Sequence, residues 1–471
     1  MFVKQLYTGC ISEAAYYIES NGEAAIIDPL RDVEEYIQLA AERNAKIKYV
    51  FETHFHADFV SGHLDLSKKT GAPIIYGPTT VCDYPVTVAK DGEKFQLGAV
   101  EIEAMHTPGH TMESTCYLLR DENEKPTCVF TGDTLFVGDV GRPDLLGTTM
   151  TKEELASHMY DSLNTKIKTL EDGVIVYPAH GPGSSCGKNL GPETFSTIGE
   201  QKKTNYALQE MTREKFITSV TEGLGAPPQY FPLNVQINKN GYSSLDVVVE
   251  KAMRKLSAEA FKSETNKDVI VLDTRKNIDF EIGFVPGSIN IGLDGRFAEW
   301  VGTLLDINKP VLLVTDPGME KESVVRMSRV GYDNVIGYLD GGFKSWKNAG
   351  LHFDIIISVD ADELALDYAH EKKLLVLDVR KQTEFDAAHV NGATNLPLGD
   401  LEKTLDELDK DDRLYVHCLS GYRSVIASSI LRKNGFLNVK NVYGGFKAIE
   451  KTNLPLVSQI LNKNPESVKL N

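Results

Sequence analysis

Cysteine is scarce and scattered. The 471 residues include six, Cys10, Cys82, Cys116, Cys128, Cys186 and Cys418, and no two form a Cys-x-x-Cys pair, as expected where thiols stay reduced. Long apolar runs are missing too. No stretch approaches the roughly 18 residues that span a bilayer, and the start, Met1-Phe2-Val3-Lys4-Gln5-Leu6, lacks the basic-then-apolar order of a signal peptide. The expected location is the cytoplasm, with no membrane partner. Positive charge is in short supply: 50 Lys and Arg against 67 Asp and Glu leave a net charge of -17. With the basic residues dispersed, a phosphate backbone is repelled on balance, so nucleic acid is not an expected partner. There is no low-complexity tract, and 42% hydrophobic and 25% charged residues describe an ordinary globular chain. It is too long for one core, and at about 100 to 200 residues per domain we read three.

The C-terminal half repeats itself. Val269-Ile270-Val271-Leu272-Asp273-Thr274-Arg275 is answered about 105 residues later by Leu374-Leu375-Val376-Leu377-Asp378-Val379-Arg380, and Leu339-Asp340-Gly341-Gly342-Phe343 by Val442-Tyr443-Gly444-Gly445-Phe446. Each copy alternates short apolar strands with helical stretches, the pattern of an α/β unit with a parallel sheet between helices. The expected divisions are 1–242, 243–352, 353–460 and a tail, 461–471. A helical stretch over 192–222 closes the first part, and Gly225-Ala226-Pro227-Pro228 begins an extended connection.

Residues 1 to about 240 are rich in strand signals, and candidate metal ligands follow them. His54, His56 and Asp58 alternate in Thr53-His54-Phe55-His56-Ala57-Asp58; His110 lies in Thr107-Pro108-Gly109-His110, Asp133 in Thr131-Gly132-Asp133-Thr134, and His180 in Tyr177-Pro178-Ala179-His180. Neutral imidazoles with one or two carboxylates suit zinc or iron, whereas magnesium or calcium favours oxygen cages. Cys186, on the loop after His180, is a possible accessory thiol. Arg142, in Gly141-Arg142-Pro143-Asp144, is placed to meet an anionic thiol substrate.

This order of motifs resembles the metallo-β-lactamase fold family, and within it the persulfide dioxygenase branch. The resemblance implies an αββα sandwich and one iron held by His54, His110 and Asp133, with open positions for a persulfide and O2. In hydrolytic relatives of the glyoxalase II kind the residue after Asp58 is a second-metal histidine; here it is Phe59, which cannot coordinate. We therefore expect one Fe(II) per chain, with zinc as a possible substitute. His56, Asp58 and His180 are left to orient the ligands or a bound water, although the spacing also permits His56 as a fourth ligand.

In the second repeat, Arg413-Leu414-Tyr415-Val416-His417 ends at Cys418, and Leu419-Ser420-Gly421-Tyr422-Arg423-Ser424 turns into a helix. Amides at a helix start, with the charge of Arg423, stabilise a thiolate or persulfide at the centre of such a turn. The Cys-x-x-Gly-x-Arg-Ser loop resembles rhodanese sulfurtransferases over the whole repeat. That implies Cys418 as the persulfide carrier and Leu419, Ser420, Gly421, Tyr422 and Arg423 as its anion cradle. The first repeat has Asp316 where the cysteine belongs, followed by Glu320 and Glu322, and is expected to be catalytically silent. Together the parts resemble a multidomain persulfide dioxygenase and sulfurtransferase of bacterial sulfide detoxification. The implied partners are a low-molecular-weight thiol persulfide, O2, and sulfite or thiosulfate, with a homodimer or homotetramer as the assembly. The alternative is a zinc thioester hydrolase of the glyoxalase II kind fused to a sulfurtransferase.

Overall fold

A computed structural model describes residues 1–145, 150–188, 190–371 and 374–458; the expected tail, 461–471, lies outside them. The chain forms two compact units, one comprising Met1–Val249 with Val301–Thr303 and Val325–Asp333, the other the remainder.

The first unit is built on two six-stranded sheets. One contains, in order, Phe2–Thr8 (β1), Glu13–Ser20 (β2), Glu23–Ile27 (β3), Lys46–Phe51 (β4), Ile74–Tyr76 (β5) and Thr87–Val88 (β6). The other contains Lys94–Leu97 (β7), Val100–His106 (β8), Thr115–Arg120 (β9), Pro126–Gly132 (β10), Ile175–Pro178 (β11) and Ser196–Thr197 (β12). Alternation along the strands sends Tyr16, Phe51, Ile75, Phe95, Ile102, Tyr117 and Phe130 into the layer between the sheets. Aromatic rings fill it, with Phe51 against Tyr117 at 4.7 Å and Tyr16 against Phe130 at 4.9 Å. The opposite faces are covered by helices, through Tyr36, Ala40 and Leu66 on one side and Met159, Leu163 and Phe216 on the other. The result is an αββα sandwich. After Pro227-Pro228, however, the connection read as extended becomes two helices, Phe231–Asn240 and Leu245–Ala252. Pro232 in the first turn starts the former at a position where no amide is needed.

In the second unit the two repeats have the same parallel five-stranded topology. Lys255–Leu256 (β13), Ile270–Asp273 (β14), Ile289–Asn290 (β15), Val311–Val314 (β16) and Val335–Leu339 (β17) run in the order β13-β17-β16-β14-β15. Ile357–Val359 (β18), Leu374–Asp378 (β19), Thr394–Asn395 (β21), Arg413–His417 (β22) and Val439–Val442 (β23) run in the order β18-β23-β22-β19-β21. In the second repeat Ala388–Val390 (β20) pairs with Leu456–Ser458 (β24) in a separate ribbon. Each repeat carries the same brace. Arg275 grips Asp273 as Arg380 grips Asp378, both at 2.6 Å, and Asn290 and Asn395 donate to the carbonyls of those same pairs. A helix long and apolar enough to cross a membrane is absent among the described residues.

Candidate metal centre and sulfur-carrying loop

Strand ends deliver the ligands of the first unit. His54 follows β4, Asp133 follows β10, His180 follows β11, and His110 lies in the turn between β8 and β9. Ligand atoms of His54, His110 and Asp133 all lie within 4.8 Å of one another, and all three residues are buried. Asp133 Oδ2 is 3.9 Å from His54 Nε2 and 3.4 Å from His110 Nε2. Donors about 2.1 Å from a common tetrahedral ion stand about 3.4 Å apart, so the set is spaced for one.

The hydrogen bonds fix which nitrogens face inward. His110 Nδ1 can only donate to the Arg142 carbonyl (2.8 Å), and His180 Nδ1 to the Ser12 carbonyl (3.1 Å). Thr53 Oγ1 gives its hydrogen to Asp28 Oδ2 (2.8 Å) and therefore accepts from His54 Nδ1 (2.9 Å). In the neutral ring each of the three Nε2 atoms therefore keeps its lone pair, the tautomer that metal-bound histidines adopt. Burial, reinforced by the neighbouring rings of His56, His110 and His180, holds the His54 imidazole well below its usual range, so it is neutral. Asp133 Oδ1 and Oδ2 have no hydrogen-bond partner although fully enclosed, an expensive state for a carboxylate that a cation relieves.

The remaining predicted residues separate into two groups. Asp58, His180 and Cys186 converge within 4.8 Å, with His180 Nε2 3.4 Å from Asp58 and 3.5 Å from Asp133 Oδ1. Burial lowers the His180 imidazole, but Asp58 and Asp133 outweigh it and the net shift is upward. Cys186, read from sequence as a loop thiol, is buried, and burial with the Asp58 and Asp133 charges pushes its thiol well up. His56 turns from the first set towards Asp28 (3.1 Å) and Glu52 (3.5 Å), with Phe59 lying on its ring at 4.3 Å. Sequence reasoning missed those two acidic partners, although both stand at the ends of buried strands. Arg142 is engaged by Asp144 through two bonds (2.6 and 2.8 Å) and by the Ser185 and Gly225 carbonyls, which leaves it little to offer a substrate.

Cys418 directly follows β22, buried, with the Gly421 amide 3.2 Å from its sulfur. Gly421 needs its freedom, at φ +112, to aim that amide. Arg423 pairs with Glu384 at 2.7 and 2.9 Å, Leu419 and Ser420 are exposed, and Tyr422 and Arg423 are partly buried. The Gly-Gly-Phe run is explained by crowding: a Cβ on Gly445 would fall 2.4 Å from the Cys418 carbonyl. In the first repeat the Gly318 amide already donates to the Glu320 carboxylate at 2.9 Å. Repulsion between carboxylates disfavours an incoming anion there.

The model of the metallo-beta-lactamase superfamily matches residues 8–180, and that of the rhodanese-like domain matches 257–349 and 360–452. A metallo-beta-lactamase from Staphylococcus aureus subsp. aureus COL has a solved structure 34% identical in sequence, with a TM-score of 0.64, covering 72% of this chain and 98% of its own. The chain belongs to the metallo-beta-lactamase superfamily. Its particular form is that domain followed by two rhodanese-like domains. A probable hydroxyacylglutathione hydrolase of Schizosaccharomyces pombe is 34% identical over 180 residues, 37% of this chain and 66% of its own length. This chain thus spans about two thirds of that relative. ETHE1 from Myxococcus xanthus is 30% identical, over 50% of this chain and 100% of its own, with a TM-score of 0.43.

Proposed function

We propose that the first domain is a non-haem Fe(II) persulfide dioxygenase and that the last is a sulfurtransferase carrying sulfur on Cys418, which together convert a low-molecular-weight thiol persulfide to sulfite and thiosulfate. The observation that carries this reading is the inward set of His54, His110 and Asp133, two imidazoles and one carboxylate on a common centre, with Phe59 occupying the place of a further imidazole. A ferrous ion held there supplies a redox-active centre with open positions. Around it, the Ser12 and Arg142 carbonyls and Thr53 fix the imidazole tautomers, and burial excludes bulk water. The overall reaction balances as RSSH + O2 + H2O giving RSH, sulfite and two protons.

In the second half-reaction the Cys418 thiolate takes the outer sulfur of a second thiol persulfide, releasing the thiol, and sulfite then attacks the outer sulfur of the Cys418 persulfide. The S–S bond breaks, its electron pair stays on Cys418, and thiosulfate leaves. The Gly421 amide and Arg423 stabilise the thiolate that remains. We assign one iron per chain, which zinc displaces readily because it binds such donors more tightly, and a cytoplasmic homo-oligomer as the working form.

A second reading, a zinc thioester hydrolase, draws on the name of the S. pombe relative and on the convergence of Asp58, His180 and Cys186. One experiment separates the two. Iron-loaded protein prepared without oxygen is given glutathione or coenzyme A persulfide with O2 uptake, sulfite and thiosulfate followed together, and in a parallel reaction a thioester of glutathione. Oxygen uptake matched by sulfite is expected; thioester cleavage without oxygen uptake would overturn the reading.

A further inference from the structure

Most of the silent repeat shares one compact unit with the active repeat, and the two meet along the helix that starts at Tyr422, as where Ser429 Oγ accepts from the Asn290 amide at 3.1 Å. Three of the contacts lie in the Cys418 loop or directly beside it. Tyr422, inside the loop, donates its hydroxyl to the Gly292 carbonyl of the silent repeat at 2.9 Å. Its ring packs on that turn: a Cβ on Gly292 or Gly295 would sit 3.7 or 3.6 Å from it, at ordinary contact distance. Glu281, buried in the silent repeat, accepts from Asn441 Nδ2 at 2.6 Å, and Asn441 Oδ1 accepts from Ser424 Oγ at 2.7 Å. Ser424 Oγ is also 3.1 Å from the carbonyl of Gly421, the residue whose amide faces the Cys418 sulfur. Finally, Phe280 and Phe284, stacked at 4.1 Å, pack with Ile356 against Val425 in the helix that begins at Tyr422.

The silent loop has none of these groups. With Gly318 standing for Gly421, Thr315 rather than the expected Asp316 falls at the place of Cys418, and Met319, Lys321 and Tyr338 stand in place of Tyr422, Ser424 and Asn441. The network therefore runs one way, from the silent repeat to the active loop. An anion cradle works through preorganised amides, since those that must be reoriented at each turnover lose much of their effect. Loops with glycine at positive φ do not hold such a shape unaided.

We propose that Glu281 and the Gly292 carbonyl, acting through Asn441–Ser424 and Tyr422, are positioning groups that hold the Cys418 loop in its anion-binding form, so that the silent domain is half of the sulfur-transfer site. This rests on the reading of Cys418 as the sulfur carrier.

The test uses the full chain and four variants: Tyr422→Phe, which deletes one hydroxyl, Glu281→Ala, Glu281→Gln, which keeps an acceptor for Asn441, and Cys418→Ser. Two quantities are read. One is kcat and KM for sulfur transfer from thiosulfate to cyanide, read as thiocyanate; the other is the ratio of Cys418 alkylation rates by iodoacetate and iodoacetamide, located by peptide mass spectrometry. That ratio reports the cradle's preference for an anion, which a change in stability alone does not move. Losing one buried hydrogen bond corresponds to about five- to tenfold. The ratio and kcat/KM are expected to fall by about that factor in Tyr422→Phe and Glu281→Ala and to recover in Glu281→Gln. Values within about twofold of wild type in both Tyr422→Phe and Glu281→Ala would overturn the positioning role. If Cys418→Ser retains transfer, the carrier reading falls and takes this proposal with it; if it abolishes transfer while the other variants are unaffected, only the positioning role falls.

Discussion

Replacing Gly141 by alanine should damage the metal centre from outside it. The Gly141 amide donates to the Asp133 carbonyl at 2.9 Å, and the next carbonyl, that of Arg142, receives His110 Nδ1 at 2.8 Å. One turn thus braces two of the three proposed ligands. An added Cβ would lie 2.2 Å from the Asp133 carbonyl oxygen and 2.9 Å from His110 Nδ1, where ordinary contact begins at 3.4 Å. The Asp133 backbone has to retreat by roughly 1 Å in an interior with no slack. Metal–ligand distances tolerate about 0.2 Å. Affinity should therefore fall about 10- to 100-fold, or about 1.4 to 2.7 kcal/mol, as when a ligand's supporting bond is lost. The metal-free protein should lose about 1 to 3 kcal/mol from overpacking. Anaerobic competition for Fe(II) against a chromophoric chelator measures the first, and calorimetry of the apo protein the second. Gly9→Ala is the control, because nothing lies within 4 Å of its added Cβ. An affinity for Gly141→Ala within about twofold of wild type would refute the brace.

Three further outcomes follow from the same geometry. Cys418→Ser should end thiosulfate formation while O2 uptake and sulfite persist, measured in one reaction by oxygen electrode and ion chromatography. Stripping the metal should lower the melting temperature, since an ion at a thousand times its Kd contributes about 4 kcal/mol; equal apo and holo melting curves would remove the case for a cation among the buried carboxylates. Burial raises the Glu384 carboxyl, but the Arg423 guanidinium more than offsets it and holds the group below its usual value. The pair therefore contributes stability above the unfolded value of about 4.3, and that contribution is lost as pH falls through the lowered folded value. Arg423→Met should accordingly differ from wild type at neutral pH and converge with it in acid, as read from urea unfolding at a series of pH values.

Much of this architecture is legible in the sequence because it is written in periodicities. The repeat of Asp273-Thr274-Arg275 as Asp378-Val379-Arg380 announces a duplicated parallel sheet, and both copies have one strand order. Cys418 and its glycine-bearing turn are legible for the same reason, since a strand end, a glycine and a helix start are local features of the chain. What spacing does not reveal is the direction of a side chain. His54 and His56 alternate identically, yet only partners distant in the chain, Asp28 at the end of β3 and Glu52 before the loop, decide that one faces the centre and the other turns away. The pairing of Arg142 and the burial of Cys186 are hidden from spacing in the same way. A guanidinium two residues from Asp144 finds that carboxylate first, and a thiol in a glycine-rich loop is buried because the Arg142 amide ties the Cys186 carbonyl down at 2.9 Å.

The Asp–Arg–Asn brace kept by both repeats bears on how a duplicated domain ages. Fold maintenance is vested in groups inside the sheet, and chemistry in a turn beyond its edge, so a copy can surrender its thiol without surrendering its shape. The first repeat shows the separation: without a cysteine in its turn, and with Glu320 accepting from the Gly318 amide there, it keeps the same strand order as the second.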